Sequence, residues 1–376
     1  MTVRPVENRG DGMTPAVTRH LLNILAPLLN IAAAFLCAGL VVLATGQSPI
    51  EALDVLVEGA FGGSDVIGYT LYYATDYIFA GLAVALAFHG GLFNIGADGQ
   101  AYVGGLGVAL ACLALDHVLP WPLLLPIAIL GAMIFGAAWA WLPGYLQART
   151  GSHVVVTTIM FNFIANALMN YLLVDVLIAP GQESPQTREF APGAVLPPMH
   201  EMAAVIGLKL GASPLNFSIF LALAACVAVQ LYVWRSRDGY ALRVMGTNPG
   251  AARYAGIAVG RKTIFAMCLS GALAGLVAIN EVQGANHHLA TGFTGGAGFI
   301  GLAVALMGRN RPLGICLAAI LFGALTQGGT ELSLEIPKID RQMGLVIEGL
   351  IILFCGALQD VFRRPLTRAC EALGWI

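Results

Sequence analysis

Asn94-Ile95-Gly96-Ala97-Asp98-Gly99-Gln100 is a polar, glycine-broken heptapeptide set between two apolar runs, at about 68–89 and 101–117. Each run is long enough to cross roughly 30 Å of hydrocarbon as a helix. A bilayer holds no water to satisfy freed N–H and C=O groups, so a broken backbone there is buried in protein or lines a wet cavity. The break therefore marks working machinery and not a lipid anchor.

The whole chain agrees with that reading. Its 376 residues are 58% hydrophobic and only 11% charged, with a mean hydropathy of +0.79, far from a soluble domain. A net charge of -2 speaks against a nucleic-acid partner, since phosphate binding needs clustered positive charge. Seven cysteines are scattered singly without a Cys-x-x-Cys spacing and read as small packing residues.

Ten apolar runs suit membrane spans: about 21–45, 68–89, 101–117, 121–142, 154–176, 215–233, 263–283, 296–308, 312–329 and 343–361. The eighth is short and could equally be a half-helix, leaving nine crossings and a re-entrant segment. The expected fold is thus an all-α integral membrane protein, one domain over 1–376, with about ten transmembrane helices and a broken segment. With the N-terminus inside, only Arg188, Lys209, Lys338 and Arg341 of the 19 basic residues fall outside, as the positive-inside bias demands. This places a tail (1–20), a loop at 234–262 and both termini in the cytoplasm, and a loop at 177–214 outside. The hexapeptide Gly-Leu-Ala-Val-Ala-Leu occurs at Gly81–Leu86 and again at Gly301–Leu306. Both copies run in one direction, which does not fit an inverted repeat.

Within the inner loop, Asn248 suits an N-cap, Pro249 the first helical position and Gly256 a stop, so one short helix is expected at the cytoplasmic face. Small Ala251, Ala252 and Ala255 permit close approach by another surface, and Arg253 and Tyr254 can reach a partner. A lipid-facing surface helix is the alternative. No Gly-x-x-x-x-Gly-Lys-Ser/Thr phosphate loop is present, so any nucleotide-driven step needs a separate subunit.

In the fifth run Thr158, Asn162, Asn166 and Asn170 recur every four residues along a slowly drifting helical stripe. They line a polar path or bond neighbouring helices. Asp76, beside Tyr72, Tyr73 and Tyr77, and Glu281 and Glu348 are carboxylates at membrane depth, which are functional candidates by default. Asn94 can cap a helix restart; alternatively Gly96 and Gly99 permit helix crossing while Asp98 and Gln100 satisfy freed backbone groups.

The heptapeptide with its lead-in Gly81–Phe93 resembles the signature of permease subunits of bacterial ABC importers for nucleosides and simple sugars, in the branched-chain amino acid, ribose and nucleoside permease superfamily. Thr157–Ala165 and Gly295–Gly314 extend the resemblance, while Ser152-His153 departs from the Asn-Glu expected in close relatives. The segment Gly246 to Ile257 resembles the family's coupling helix, which docks on the ATP-hydrolysing subunit. The resemblance therefore implies coupling residues Gly246, Asn248, Pro249, Ala251, Ala252, Arg253, Tyr254 and Gly256, and pathway candidates Asp76, Asn94, Asp98, Gln100, Thr158, Asn162, Asn166 and Glu348. It also implies a bacterial inner-membrane location, a shorter homologous permease partner, an ATPase carrying ATP and magnesium, and an external binding protein. This chain would itself carry no cofactor and no enzymatic activity. The rival is an autonomous proton-coupled carrier using Asp76 and Glu348.

Overall fold

The computed structural model describes residues 29, 32–179, 181–336, 346, 349, 350 and 353. They fall into two compact units, a large one over Val55–Glu331 and a smaller one made of the two chain ends, through Asp54 and from Leu332. The described residues are helical, joined by turns and two isolated β-bridges, Gln186 with Ala290 and Pro198 with Asn216.

In chain order the helices are α1 (Ala32–Ala44), α2 (Pro49–Phe61), α3 (Ser64–His89), α4 (Ala97–Leu115), α5 (Trp121–Thr150), α6 (Val154–Tyr171), α7 (Met199–Val205), α8 (Ser218–Arg235), α9 (Arg237–Thr247), α10 (Pro249–Tyr254), α11 (Val259–Gly275), α12 (Ala297–Met307) and α13 (Pro312–Glu335). Two π-helical turns, Leu172–Val176 and Ile279–Asn286, extend α6 and α11. Seven of these helices, extensions included, are long and apolar enough to cross a membrane, and an eighth results if bent α1 and α2 form one span. Ten are not reached among the described residues. The first expected run is described only from residue 32, and the tenth lies almost wholly outside them. The eighth, α12, has 11 residues, or about 16 Å of helix, half a crossing. It is cut short by Gly292, Gly295 and Gly296, all at positive φ. Conversely α5 runs on past Pro143 to Thr150, because neighbouring membrane helices can make good the lost bond.

Glycines set the closest crossings of the large unit. A Cβ on Gly107 would stand 2.3 Å from the Gly131 carbonyl oxygen, and one on Gly136 would stand 2.2 Å from that of Gly271. Helices α4, α5 and α11 thus touch backbone to backbone, the packing that substitutes for hydrophobic drive within lipid. The repeated hexapeptides meet as well: Gly301 faces Ala80 and Gly81, while His89 at the end of α3 bonds the Asn310 carbonyl at 2.9 Å. Helix α12 therefore runs parallel to the last three turns of α3.

Residues 177–217 cover the end of α4 that carries Asp116. Arg188 donates to Asp116 Oδ2 at 2.7 Å and Oδ1 at 3.1 Å, and to the Leu113 carbonyl at 3.1 Å, while the Ala191 N–H donates to Asp116 Oδ2 at 2.9 Å. Backbone bonds from Thr187 to Leu289 and from Phe190 to His287 tie the same segment to the chain beyond the second π-turn. Burial opposes the charge on Asp116, just past α4. Bonds from Arg188 and Ala191 and the guanidinium charge outweigh it and hold the carboxyl below the usual carboxylate range.

The cysteines are less scattered than their sequence positions suggest. Cys226 of α8 and Cys316 of α13 place their Sγ atoms 3.1 Å apart. Bonded sulfurs stand about 2.05 Å apart, so the two Sγ atoms need to approach by only about 1 Å to be bridged. Copper phenanthroline should therefore cross-link the two within one chain, as a loss of two thiols reversed by reductant and abolished by Cys226→Ser; no cross-link in the wild type refutes this packing of α8 on α13. The Asp116 clasp contributes stability that is fully present above the ordinary carboxylate pKa of about 3.9 and is lost as pH falls through the lower folded value. Thermal midpoints between pH 6 and 3 should fall more steeply for the wild type than for Arg188→Gln, and parallel curves would contradict the clasp.

Candidate functional site

The chain leaves α3 at His89, and Gly90 and Gly91 turn it back into the helix bundle. Asn94 Nδ2 donates to Ser270 Oγ at 2.9 Å, and Ser270 in turn donates to the Ala83 carbonyl at 2.6 Å. Asn94 thus stands beside Ala83, about 9 Å inside the end of α3 by helical rise. The restart comes at Ala97, and Asn94 is not its cap. The N-cap is Gly96, with no side-chain cap, because Asn94 Oδ1 accepts the Gly96 N–H (2.9 Å) and a Gln100 Nε2–H (3.2 Å). Asp98 and Gln100, expected in the break, lie in the first turn of α4; the break itself is residues 90–96.

Helix α6 closes this turn from the side. Asn162 Oδ1 accepts the Gly99 N–H (2.9 Å), and its Nδ2 donates to the Ile95 carbonyl (2.9 Å). Thr158 Oγ1 accepts the Ile95 N–H at 3.3 Å. Gly99 has no room for a side chain, since its Cβ would lie 2.8 Å from Asn162 Oδ1. Asn94, Gln100, Thr158 and Asn162 therefore spend their polar groups on the chain itself and are all buried. The stripe drifts as it rises: Asn166 and Asn170 emerge on the exposed face of α6.

A second helix start meets the first. Gly298, in the opening turn of α12, packs on the Asp98 backbone and donates its N–H to Asp98 Oδ1 at 3.4 Å. The Thr294 hydroxyl bonds the same carboxylate. Asp98 thus supplies acceptor oxygens to the first turn of α12 and to the chain that leads into it. Upstream, the Gly292 N–H donates to the Tyr102 hydroxyl at 2.8 Å, and Thr291, Gly292 and Gly295 are exposed along α4. Two interrupted helices, α4 and α12, so begin side by side inside the bundle. No periodicity marks this; the glycines and threonines of residues 291–296 were its only trace in the sequence.

Asp76 and its tyrosines are sorted differently than adjacency suggests. The Tyr72 hydroxyl donates to Glu281 Oε1 at 2.6 Å, and the Tyr77 hydroxyl lies 2.9 Å from that of Thr326. Asp76 Oδ1 instead accepts from Asn280 Nδ2 at 2.9 Å, and Asn280 is held by Ser218 (2.7 Å) and Asn216 (3.0 Å). The π-turn brings Asn280 and Glu281 together onto one face of α3. Glu348 lies outside the described residues.

Residues 234–262 hold two helices where one was expected. Ser236 caps α9, accepting the Gly239 N–H at 2.9 Å. Asn248 caps α10, accepting the Ala251 N–H at 3.0 Å, with Pro249 at the first helical position. Gly256 ends the helix at φ +78°, with the Ile257 N–H bonding the Ala252 carbonyl at 2.9 Å. Ala252 faces inward and is fully buried, while Ala251, Arg253, Ala255 and Tyr254 (98% exposed) face out. Ala252 packs with Leu242, Met245, Leu92, Val154 and Met267. Gly246 lies against the backbone of Gly91, 3.1 Å from where its Cβ would stand.

Residues 66–356 match the permease component of the branched-chain amino acid transport system family. The chain belongs to this family. It is a multi-pass transporter subunit and not an enzyme. This permease is 35% identical to the guanosine ABC transporter permease protein NupP of Bacillus subtilis, over 90% of this chain and 94% of the relative. It is 31% identical to the nucleoside ABC transporter permease protein NupB of Lactococcus lactis (88% and 90% covered) and 31% identical to the glucose ABC transporter permease protein TsgB13 of Haloferax volcanii (87% and 86%). Bacillus subtilis and Lactococcus lactis each hold a second, more distant match, NupQ at 26% and NupC at 28% identity, so these relatives come in pairs. Nothing among them favours a proton-coupled carrier.

Truncating Asn162 strands a buried donor and a buried acceptor of the permease, each worth about 1–3 kcal/mol. Asn162→Ala should lower the thermal midpoint in detergent clearly, whereas exposed Asn166→Ala should stay within about 0.5 kcal/mol of wild type. Equal midpoints for the two variants would contradict the latch.

Proposed function

We propose that the chain is one of two unlike permease subunits of an ATP-driven importer that carries nucleosides, or related simple sugars, into the cytoplasm by alternating access. The observation that carries this reading is the meeting of two interrupted helices on Asp98, since helix starts at mid-depth with exposed irregular chain beside them are how transporters present polar backbone to solute. The nucleoside and sugar names of the relatives support the substrate class, and their pairing supports a shorter homologous permease as partner.

In this reading both termini, α9 and α10 face the cytoplasm, in a bacterial inner membrane crossed about ten times. The pathway runs along the exposed Thr291, Gly292 and Gly295 and the exposed Asn166 face of α6, which the second permease completes. Asn94, Gln100, Thr158 and Asn162 act as the fixed wall behind it, and Asp98 sets the start of α12. Asp76 belongs with Glu281 to a polar cluster above this junction. ATP and magnesium sit on a separate ATPase, whose cleft receives α10; an external binding protein delivers the solute.

Mechanically, α10 suits a lever. Its buried Ala252 and capped ends keep it stiff, and the preceding α9, through Gly246 on Gly91, connects it to the broken chain between α3 and α4. Arg253 and Tyr254 are left to grip the ATPase. In proteoliposomes holding the complete assembly, Arg253→Ala with Tyr254→Ala should cut ATP-driven nucleoside uptake about tenfold or more while thermal midpoints stay unchanged. Asn166→Ala should slow uptake at unaltered stability. Wild-type uptake in the double variant would overturn the coupling assignment, and solute accumulation by this chain alone would overturn the importer reading.

A further inference from the structure

A groove of about 490 Å³ opens beside α10, between the end of α5 and the start of α11. Arg149, Arg253 and Arg261 line it together with Ile257, Gly260 and Ile264, and none of its lining residues is acidic. None of the three arginines is ion-paired among the described residues, and the nearby acid, Asp238, is engaged by Lys262. Three exposed arginines line one opening, and Arg261 lies in the first turn of α11, the end where a helix already carries positive charge. The opening N–H groups of that turn are also spare, since Ala258 at the N-cap offers no side-chain acceptor. The uncompensated charge therefore converges on one place and does not merely decorate a surface.

We propose that this groove is a binding site for a phosphate ester, held by Arg149, Arg253 and Arg261, with Ile257 and Ile264 against the uncharged body of the molecule. Guanidinium forks match phosphate oxygens two at a time, and the volume admits a phosphate with a mononucleotide-sized or glycerol-sized substituent. Two sources share that chemistry: the headgroup of an anionic phospholipid and a soluble phosphomonoester. In the orientation proposed above the groove faces the cytoplasmic membrane surface, where both occur. Because Arg253 belongs to α10, an occupant would hold the lever against α5 and α11.

The assembled transporter, in nanodiscs of phosphatidylcholine, is titrated with inorganic phosphate and with a nucleoside monophosphate; a parallel set of discs contains one-fifth phosphatidylglycerol. Thermal midpoint and equilibrium binding are read for wild type and for Arg149→Gln with Arg261→Gln. At least one probe should raise the wild-type midpoint and bind about tenfold more weakly to the variant, with affinity falling as salt rises. Response to the soluble probes assigns a free phosphoester, and response to phosphatidylglycerol alone assigns the lipid. Arg149→Lys, which keeps the charge and loses the fork, should bind with intermediate affinity and so separates ligand loss from misfolding. The proposal is overturned if no probe acts on the wild type, or if binding is undiminished in the double variant. It is also overturned if the double variant merely loses the ATPase subunit while no probe binds, since the groove then holds an acidic side chain of that partner. Coupling through α10 is read separately, from uptake by Tyr254→Ala, which leaves all three arginines in place.

Discussion

A peptide group that loses its helical partner inside hydrocarbon has to find another within the protein. Around residues 90–100 that requirement decides almost everything. Ile95 gives its carbonyl to Asn162 and its N–H to Thr158, Gly99 gives its N–H to Asn162, and Asn94 occupies the groups left over with Gln100 and Ser270. The amides occur here because a carboxamide donates and accepts at once and carries no charge to desolvate. The glycines occur because α4 has to touch α6 at Gly99 with no side chain between them.

The same economy links the interior to the surface. Gly91, at positive φ, lets the chain reverse directly over Gly246, and the apolar group under Ala252 ties α10 to the starts of α6 and α11. The surface helices α9 and α10 and the chain leading to the Asp98 junction are therefore in direct contact, through the Gly246 backbone of α9.

Much of this was legible in the sequence because it is local. Apolar run length located most of the crossing helices to within a few residues, and the Asn248-Pro249 cap with Gly256 as stop located α10. What escaped is non-local or depends on subtle chain chemistry. Asp76 reads from the sequence as a carboxylate at membrane depth, but its partnership with Asn280 depends on a π-turn that no spacing announces. The four-residue stripe on α6 reads as one face on paper, yet 100° per residue turns Asn166 outward while Asn162 stays in. Helix α9 was missed because the basic residues around Ser236 read as a loop, and Cys226 meets Cys316 only through the packing of distant helices.

The side-by-side placement of the two Gly-Leu-Ala-Val-Ala-Leu copies has an evolutionary corollary. A methyl on Gly301 would come within 2.4 Å of the Ala80 Cβ, and one on Gly81 would crowd Ile315 and Val304. Neither copy can drift in size without an answering change opposite it, so these positions should vary as linked pairs across homologous permeases. A duplicated hexapeptide that looks like compositional accident in one sequence is thus a pair of surfaces that must fit each other.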